Sequence, residues 1–260
     1  MLYTANFAEP GRFRLSAATF SMALSVKSDN KQRALTQLQR RILSLDLAPG
    51  QALDEVALCR QYDLSRTPLR EVLQRLAGQG YVQLTMHRGA HVSPMDMVTM
   101  RNFFQTAPMV YAAISRLAAE QASATQLATL KKTQQRFRRA VKTEALAEMV
   151  EQNHRFHELI GEMAASPYLS PSLERLLIDH TRMSHRFYRT ALTDARSQVE
   201  TACEQHDRII AAIENRCAAT AVEETLGHWE LSRLEIDKYV LPDALPIDVT
   251  DMAAATESVG

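Results

Sequence analysis

One stretch of the chain, residues 65–76, constrains the fold more than any other, because it combines a helix-capping residue with helical periodicity. Ser65 favours the N-cap position, where its hydroxyl can accept from a first-turn N–H group. Pro68 is tolerated three residues later, since first-turn N–H groups have no partner within a helix. The apolar residues repeat about every 3.6 positions and would form one side: Leu69, Val72, Leu73 and Leu76. The stretch therefore predicts a helix that packs by one side only.

The opposite side of this predicted helix is polar, and its first turns carry Arg66 and Arg70. Such a helix suits the DNA major groove, because arginine can bind guanine edges or phosphates and the positive helix end adds attraction. A short amphipathic helix with a solvated basic face would show the same residues. The helix alone does not separate these two interpretations.

The segments around this helix favour the DNA-binding interpretation. Upstream, residues 32–45 and 53–62 have helical patterns, with a break at Ala48-Pro49-Gly50 and a candidate cap at Asp54. Downstream, residues 81–86 alternate like a half-buried strand, and a turn leads to a second short strand at residues 90–92. Two helices, a recognition helix and a hairpin, in that order, predict a winged helix-turn-helix.

Three motifs in this region resemble the DNA-binding domain of GntR-family bacterial transcription regulators. Residues 47–55 (LAPGQALDE) are similar to the family's L-x-P-G-x-x-L-x-E, residues 64–73 (LSRTPLREVL) to its S-R-T-P-[LV]-R-E-A-L, and residues 88–92 (RGAHV) to its R-G-A-x-V. The resemblance implies DNA contacts from Arg66, Arg70 and the wing. Together with the polar side of the helix, the candidate DNA-binding residues are Ser65, Arg66, Thr67, Arg70, Gln74, Arg75, Arg88 and Gly89.

Charge is unevenly distributed along a chain whose formal net charge is zero. Residues 1–95 carry 12 Lys and Arg against 7 Asp and Glu, whereas residues 96–260 carry 18 against 23. A basic module followed by an acidic one fits a DNA-binding head on a sensing body. Three cysteines without paired spacing, and no apolar run of about 18–20 residues, predict a reduced cytoplasmic protein without a membrane partner.

The region after Pro94 is predicted to be an all-α bundle. No glycine occurs between Gly89 and Gly161, and strand patterns are absent. Six stretches have helical character: residues 98–120, 125–141, 144–164, 168–191, 195–215 and 218–240. The predicted fold class is therefore mainly α: a flexible tail over residues 1–30, a winged helix-turn-helix over 31–94, a linker over 95–98, a helical effector-binding bundle over 99–241 and a flexible tail over 242–260.

Four polar residues interrupt apolar stripes of the predicted bundle helices: Asn153, His157, His206 and His228. Asn153 and His157 are four positions apart and share one helix face. A single histidine on such a stripe is usually a hydrogen-bonded core residue, because a buried imidazole needs partners. Three histidines with an amide, from three helices, favour a metal site. By contrast, His154, His180 and His185 fit the stripes less well and are interpreted as surface or pocket-rim residues.

Residues 99–241 also resemble the FCD ligand-sensing domain of the FadR subfamily of GntR regulators. Residues 153–157 are similar to its D-x-x-x-H, with Asn153 in place of Asp; residues 205–209 (QHDRI) are similar to its E-H-x-x-I, and His228 matches its final-helix histidine. The resemblance implies a divalent metal and a small organic acid effector. Imidazole ligands favour Zn²⁺, with Ni²⁺ or Mn²⁺ as alternatives. The candidate effector-pocket residues are Tyr111, Arg182, Arg186 and Trp229.

These features predict a one-component transcription repressor that is not an enzyme. It is expected to bind a palindromic duplex operator as a homodimer and to be controlled by a small carboxylate near the metal. Two alternatives stay open: the metal itself is the signal, or the site is a metal-dependent hydrolytic enzyme fused to a DNA-binding head. Three histidines with open metal positions could activate water. However, the nearest acid in sequence, Glu158, lies about 100° around the helix from His157.

Overall fold

The computed structural model describes the backbone of residues 17–194 and 196–240 and divides the chain into two compact units at Ser93–Pro94. The N-terminal unit contains α1 (Ala17–Leu43), α2 (Glu55–Tyr62), α3 (Arg66–Gln79), β1 (Val82–Thr85) and β2 (Gly89–Val92). The C-terminal unit contains α4 (Met97–Gln121), α5 (Ala124–Lys142), α6 (Leu146–Ala164), α7 (Ser170–Asp194), α8 (Arg196–Glu214) and α9 (Ala218–Val240). The predicted winged head and all-α bundle are confirmed.

In the N-terminal unit, the three helices share one core with the start of the hairpin. The predicted apolar side of α3 is buried, namely Leu69, Val72, Leu73 and Leu76. Asp54 caps α2 as predicted, since its carboxylate accepts from the N–H groups of Val56 at 2.9 Å and Ala57 at 3.0 Å. Ser65 occupies the N-cap position of α3, but its side chain makes no capping hydrogen bond. The expected role of its hydroxyl as a cap is therefore wrong.

The wing is an antiparallel hairpin in which Val82 pairs with Val92 and Thr85 with Gly89. In β1 only Val82 is buried, so the half-buried alternation predicted for this strand is wrong beyond its first residue. The strand leaves the core after that point and projects its remaining side chains into solvent. Gly89 has a φ of +75°, a conformation that glycine adopts without strain.

Helix α1 begins at Ala17 instead of residue 32. No proline or glycine interrupts residues 17–43, so nothing in the sequence stops the helix from extending toward the N-terminus. The tail expected over residues 1–30, disordered or loosely helical, thus overlaps α1 at residues 17–30. The rest of that tail (residues 1–16) and the C-terminal tail lie outside the described residues.

The six predicted bundle helices are present, and side chains cap the starts of α4 and α5. The Asp96 carboxylate accepts from the N–H of Thr99 at 2.8 Å and starts α4, so the helix begins at Met97, within the expected linker over residues 95–98. Ser123 and Gln126 form a capping box on α5. The larger core of the bundle extends from Phe103 on α4 to Trp229 on α9. None of the described helices combines the length and the apolar character that a bilayer crossing requires.

Candidate metal centre and DNA-binding surface

The recognition helix α3 and the wing expose every candidate DNA-binding residue: Ser65, Arg66, Thr67, Arg70, Gln74, Arg75, Arg88 and Gly89. The structure also brings an acidic group to this surface. Glu55 Oε2 lies 3.8 Å from Arg70 Nε, and Glu55 Oε1 lies 3.9 Å from the position that a Cβ on Gly89 would occupy. Glu55 is thus next to both the recognition helix and the wing. Glu55 belongs to the motif at residues 47–55, but the motif alone does not predict this position.

Three buried imidazoles from three helices converge in the bundle. His157 comes from α6, His206 from α8 and His228 from α9, and one ring nitrogen of each lies within 4.8 Å of the others. Asn153 lies one turn before His157 on the same face of α6 and is also buried. The packing of α6, α8 and α9 therefore brings the three histidines together, with Asn153 on the adjacent turn of α6.

The hydrogen bonds identify which nitrogens carry lone pairs. The Oε1 atom of Gln134 accepts from His206 Nδ1 at 3.0 Å, and the Oε1 atom of Gln205 accepts from His228 Nδ1 at 3.0 Å. An amide oxygen only accepts, so both Nδ1 atoms carry the proton and both Nε2 atoms do not. The two Nε2 atoms lie 3.2 Å apart. Two lone pairs at this separation repel each other unless a cation lies near them.

Two further polar atoms in the same region have no hydrogen-bond partner: His157 Nε2 and Asn153 Oδ1. The Nδ2 group of Asn153 donates to Ser184 Oγ at 3.3 Å, which leaves its carbonyl oxygen open. Buried polar atoms normally find partners, because an unsatisfied one costs about 1–3 kcal/mol. Three imidazole nitrogens and one amide oxygen are a donor set that fits a divalent cation such as Zn²⁺.

Burial keeps these rings neutral. It lowers the pKa of His157 and His206 well below the usual 6.5, and neighbouring imidazoles add to the effect at both. Burial, together with the positive charge of Arg208, likewise lowers the pKa of His228 to about 4. Since a histidine binds metal only in its neutral form, the ligands are ready at neutral pH.

The described residues of this cluster include aromatic and polar groups that sequence reasoning placed elsewhere. His180 is buried, its Nδ1 atom lies 2.7 Å from the Tyr111 hydroxyl, and its ring centroid lies 4.7 Å from that of His157. His185 is buried as well. These two histidines are therefore not surface residues, because α7 is covered over a wider face than its apolar stripe indicates. Only His154 is partly exposed, and its Nδ1 atom lies 2.6 Å from Thr181 Oγ1.

Comparison with known proteins assigns each of the two units to a domain family. Residues 30–92 match the family model of bacterial regulatory proteins of the gntR family, and residues 109–231 match the model of the FCD domain. The chain belongs to the GntR family. The FadR-like subfamily, in which these two domains are combined, fits both matches.

Relatives of this GntR protein are named as transcription regulators. The HTH-type transcriptional repressor RspR of Escherichia coli K12 is 27% identical over 69% of this chain and 76% of its own length. The uncharacterized HTH-type transcriptional regulator YdhC of Bacillus subtilis is 22% identical over 74% of this chain and 84% of its own. The E. coli McbR/YncC structure has a TM-score of 0.66 at 18% identity, over 80% of this chain and 95% of that one, and supports the fold. The chain is therefore a bacterial transcription regulator with a winged head and an FCD domain.

The candidate effector residues of this GntR regulator separate into two groups. Tyr111 and Trp229 lie in the cluster, with the Tyr111 ring centroid 5.5 Å from both His157 and Trp229, and the buried Trp229 Nε1 has no hydrogen-bond partner. Arg182 is fully buried in an ion pair with Asp179. Arg186 is exposed on α7, outside the buried cluster.

The sequence reasoning also missed two residues that contact the imidazoles, Gln134 and Gln205. Glutamine on a mostly polar helix is a common surface residue, so α5 gave no signal for Gln134. A weak signal existed for Gln205, since it precedes His206 in a segment already singled out.

Proposed function

We propose that this GntR regulator is a transcription repressor whose affinity for DNA is controlled by a small anionic effector bound at a divalent metal ion in the bundle. One observation carries the proposal: the buried imidazoles of His157, His206 and His228 converge, and His157 Nε2 has no hydrogen-bond partner. Asn153 Oδ1, one helical turn before His157, has no partner either. A cation satisfies all four, and Zn²⁺ suits imidazole ligands best.

The charge of the site supports an anionic effector. All four proposed ligands are neutral, so the ion would keep its full double charge inside the bundle. The nearby carboxylate of Asp207 is paired with Arg138, and that of Asp179 with Arg182. An uncompensated cation in a poorly solvated site favours an anion at its open position. A small carboxylate, with Tyr111 and Trp229 beside it, is the effector class that fits.

The exposed basic face of α3 supports the DNA-binding half of the proposal. Arg66 and Arg70 would contact base edges or phosphates, and Arg88 in the wing would contact the neighbouring backbone. Winged heads of this kind usually act in pairs on half-sites related by two-fold symmetry, so we infer a homodimer on a palindromic operator. The effector would then change operator affinity through a coupling free energy between two distinct sites.

The test measures operator binding by fluorescence anisotropy, with a duplex first selected from a random pool by the wild-type protein. We expect Zn²⁺-loaded protein to bind the duplex, and a subset of a carboxylate panel to weaken this binding. Release by Zn²⁺ alone would instead identify a metal sensor. Operator binding that responds neither to metal nor to any carboxylate would refute the proposal.

Three variants test the DNA-binding surface and the metal centre separately. Arg66→Ala should abolish operator binding, and His206→Ala should abolish metal binding and the carboxylate response while operator binding survives. His154→Ala is the matched control, because this partly exposed imidazole bonds to Thr181 and not to the cluster. It should behave as wild type. A full carboxylate response in His206→Ala would reduce the histidines to ordinary core residues.

A further inference from the structure

We propose that Gln134 and Gln205 are positioning residues for the metal centre, and that Asp207 on the surface strengthens the hold of Gln134 on His206. The inference rests on the proposed function for the identity of the bound ion. Its first observation is that each glutamine lies 3.0 Å from the Nδ1 atom of a different histidine. A hydrogen bond at Nδ1 determines which nitrogen of the ring faces the metal.

Gln205 is held so that its oxygen can only face His228. Its Nε2 group donates to the backbone carbonyl of Gly227 at 3.2 Å, and the side chain is almost fully buried. A reversed amide would point an N–H group at His228 and lose the bond to Gly227. The bond pattern therefore keeps the proton on His228 Nδ1 and the lone pair on Nε2, where it faces His206.

The side-chain amide of Gln134 is also fixed in one orientation, because its nitrogen donates to two acceptors. Its Nε2 group donates to the Cys203 carbonyl at 2.9 Å and to Asp207 Oδ1 at 3.1 Å. The His206 ring is also fixed from its face, since Phe156 stacks on it at a centroid distance of 3.9 Å and an interplanar angle of 13°. Gln134 thus selects the tautomer of a ring whose plane is already set.

The contact with Asp207 gives the two imidazoles different electrostatic surroundings. A carboxylate that accepts from an amide N–H polarises the amide and makes its oxygen a better acceptor. This effect passes from Asp207 through Gln134 to His206 and increases the electron density at its metal-facing nitrogen. Arg138 pairs with the other oxygen of Asp207 and opposes the effect. Both side chains are nearly half exposed, so they can be changed without opening the core.

The first readout needs no metal. In chelator-treated protein with ¹⁵N-labelled histidine, NMR should show His206 and His228 as tautomers protonated at Nδ1. Gln134→Leu should release His206 from this tautomer and leave His228 unchanged, and Gln205→Leu should do the reverse. Nε2-protonated rings in the wild type would overturn the proposal.

The second readout is the Zn²⁺ dissociation constant measured by chelator competition. Loss of a partner that orients a metal ligand weakens binding by about 10- to 100-fold, which we expect for Gln134→Leu. Gln152→Leu is the matched control, because this buried glutamine bonds to Glu148 on its own helix and should leave Zn²⁺ affinity unchanged. Equal losses in both variants would mean that Gln134 acts only through general stability.

The surface pair supplies variants that do not disturb the core. Asp207→Asn should weaken Zn²⁺ binding severalfold, whereas Arg138→Gln should strengthen it. Changes of the same sign in both variants would overturn the role of Asp207. If the wild type binds no Zn²⁺ while its rings are protonated at Nδ1, the metal proposal fails and the fixing of the rings by glutamine stands.

Discussion

Gly161 tests how closely α6 and α7 pack beside the proposed metal centre. A Cβ atom at Gly161 would overlap Leu173 Cδ2 and would lie 3.8 Å from Leu173 Cγ. Carbon atoms pack favourably at about 3.5–4.0 Å, so Gly161→Ala forces the end of Leu173 to move by roughly 1 Å or more. Leu173 is buried in the larger core, so its end must move against neighbouring side chains.

The expected cost follows from two opposing effects. Overpacking a filled core costs about 1–3 kcal/mol, whereas alanine in place of glycine inside a helix contributes up to about 1 kcal/mol of stability. Gly161→Ala should therefore lower the free energy of unfolding by about 1–2 kcal/mol. The matched control is Gly227→Ala on α9, where an added Cβ meets nothing within 4 Å. That variant should raise the free energy of unfolding by up to about 1 kcal/mol.

Urea unfolding monitored by tryptophan fluorescence measures both variants, because Trp229 is the single tryptophan and reports on the bundle. Unfolding midpoints should shift in opposite directions. A Gly161→Ala protein as stable as Gly227→Ala would refute the inferred close packing. His157 lies one helical turn from Gly161 on α6, so Gly161→Ala should also weaken Zn²⁺ binding.

Three further outcomes follow from the described residues. Glu55→Gln should raise the affinity for random duplex DNA in anisotropy titrations, because it removes a carboxylate 3.8 Å from Arg70. The control is Glu71→Gln, which makes the same charge change on α3 and should raise this affinity less. Asn153→Asp should tighten Zn²⁺ in chelator competition and weaken carboxylate effectors, since it adds negative charge at the ion; tighter binding of both would contradict this. The pKa of His228 is lowered from 6.5 to about 4, so the unfolded chain binds more protons between these values. In chelator-treated protein, the free energy of unfolding measured with urea should fall as the pH drops from 6.5 toward 4. A free energy that does not change with pH would contradict the buried neutral ring.

Local patterns determined much of this protein from the sequence alone. The four-residue separation of Asn153 and His157 sets them on one helix face whatever surrounds the helix, because the α-helical period is a property of the backbone. For the same reason, the spacing from Leu69 to Leu76 predicted the buried side of α3, and its exposed arginines followed. Asp54 was recognised as a cap because capping involves only the next three residues.

Tertiary structure decided which groups meet across helices. Helical spacing indicates which side of a helix is buried, but the partner on that side depends on how the helices cross. Gln134 lies on α5, 72 positions from His206, and only the packing of α5 against α8 brings its amide to that ring. His180 had no apolar stripe to mark it, and yet the arrangement of α4, α6 and α7 buries it beside Tyr111 and His157. The chemistry of the site therefore depends on long-range contacts, which the local backbone period does not encode.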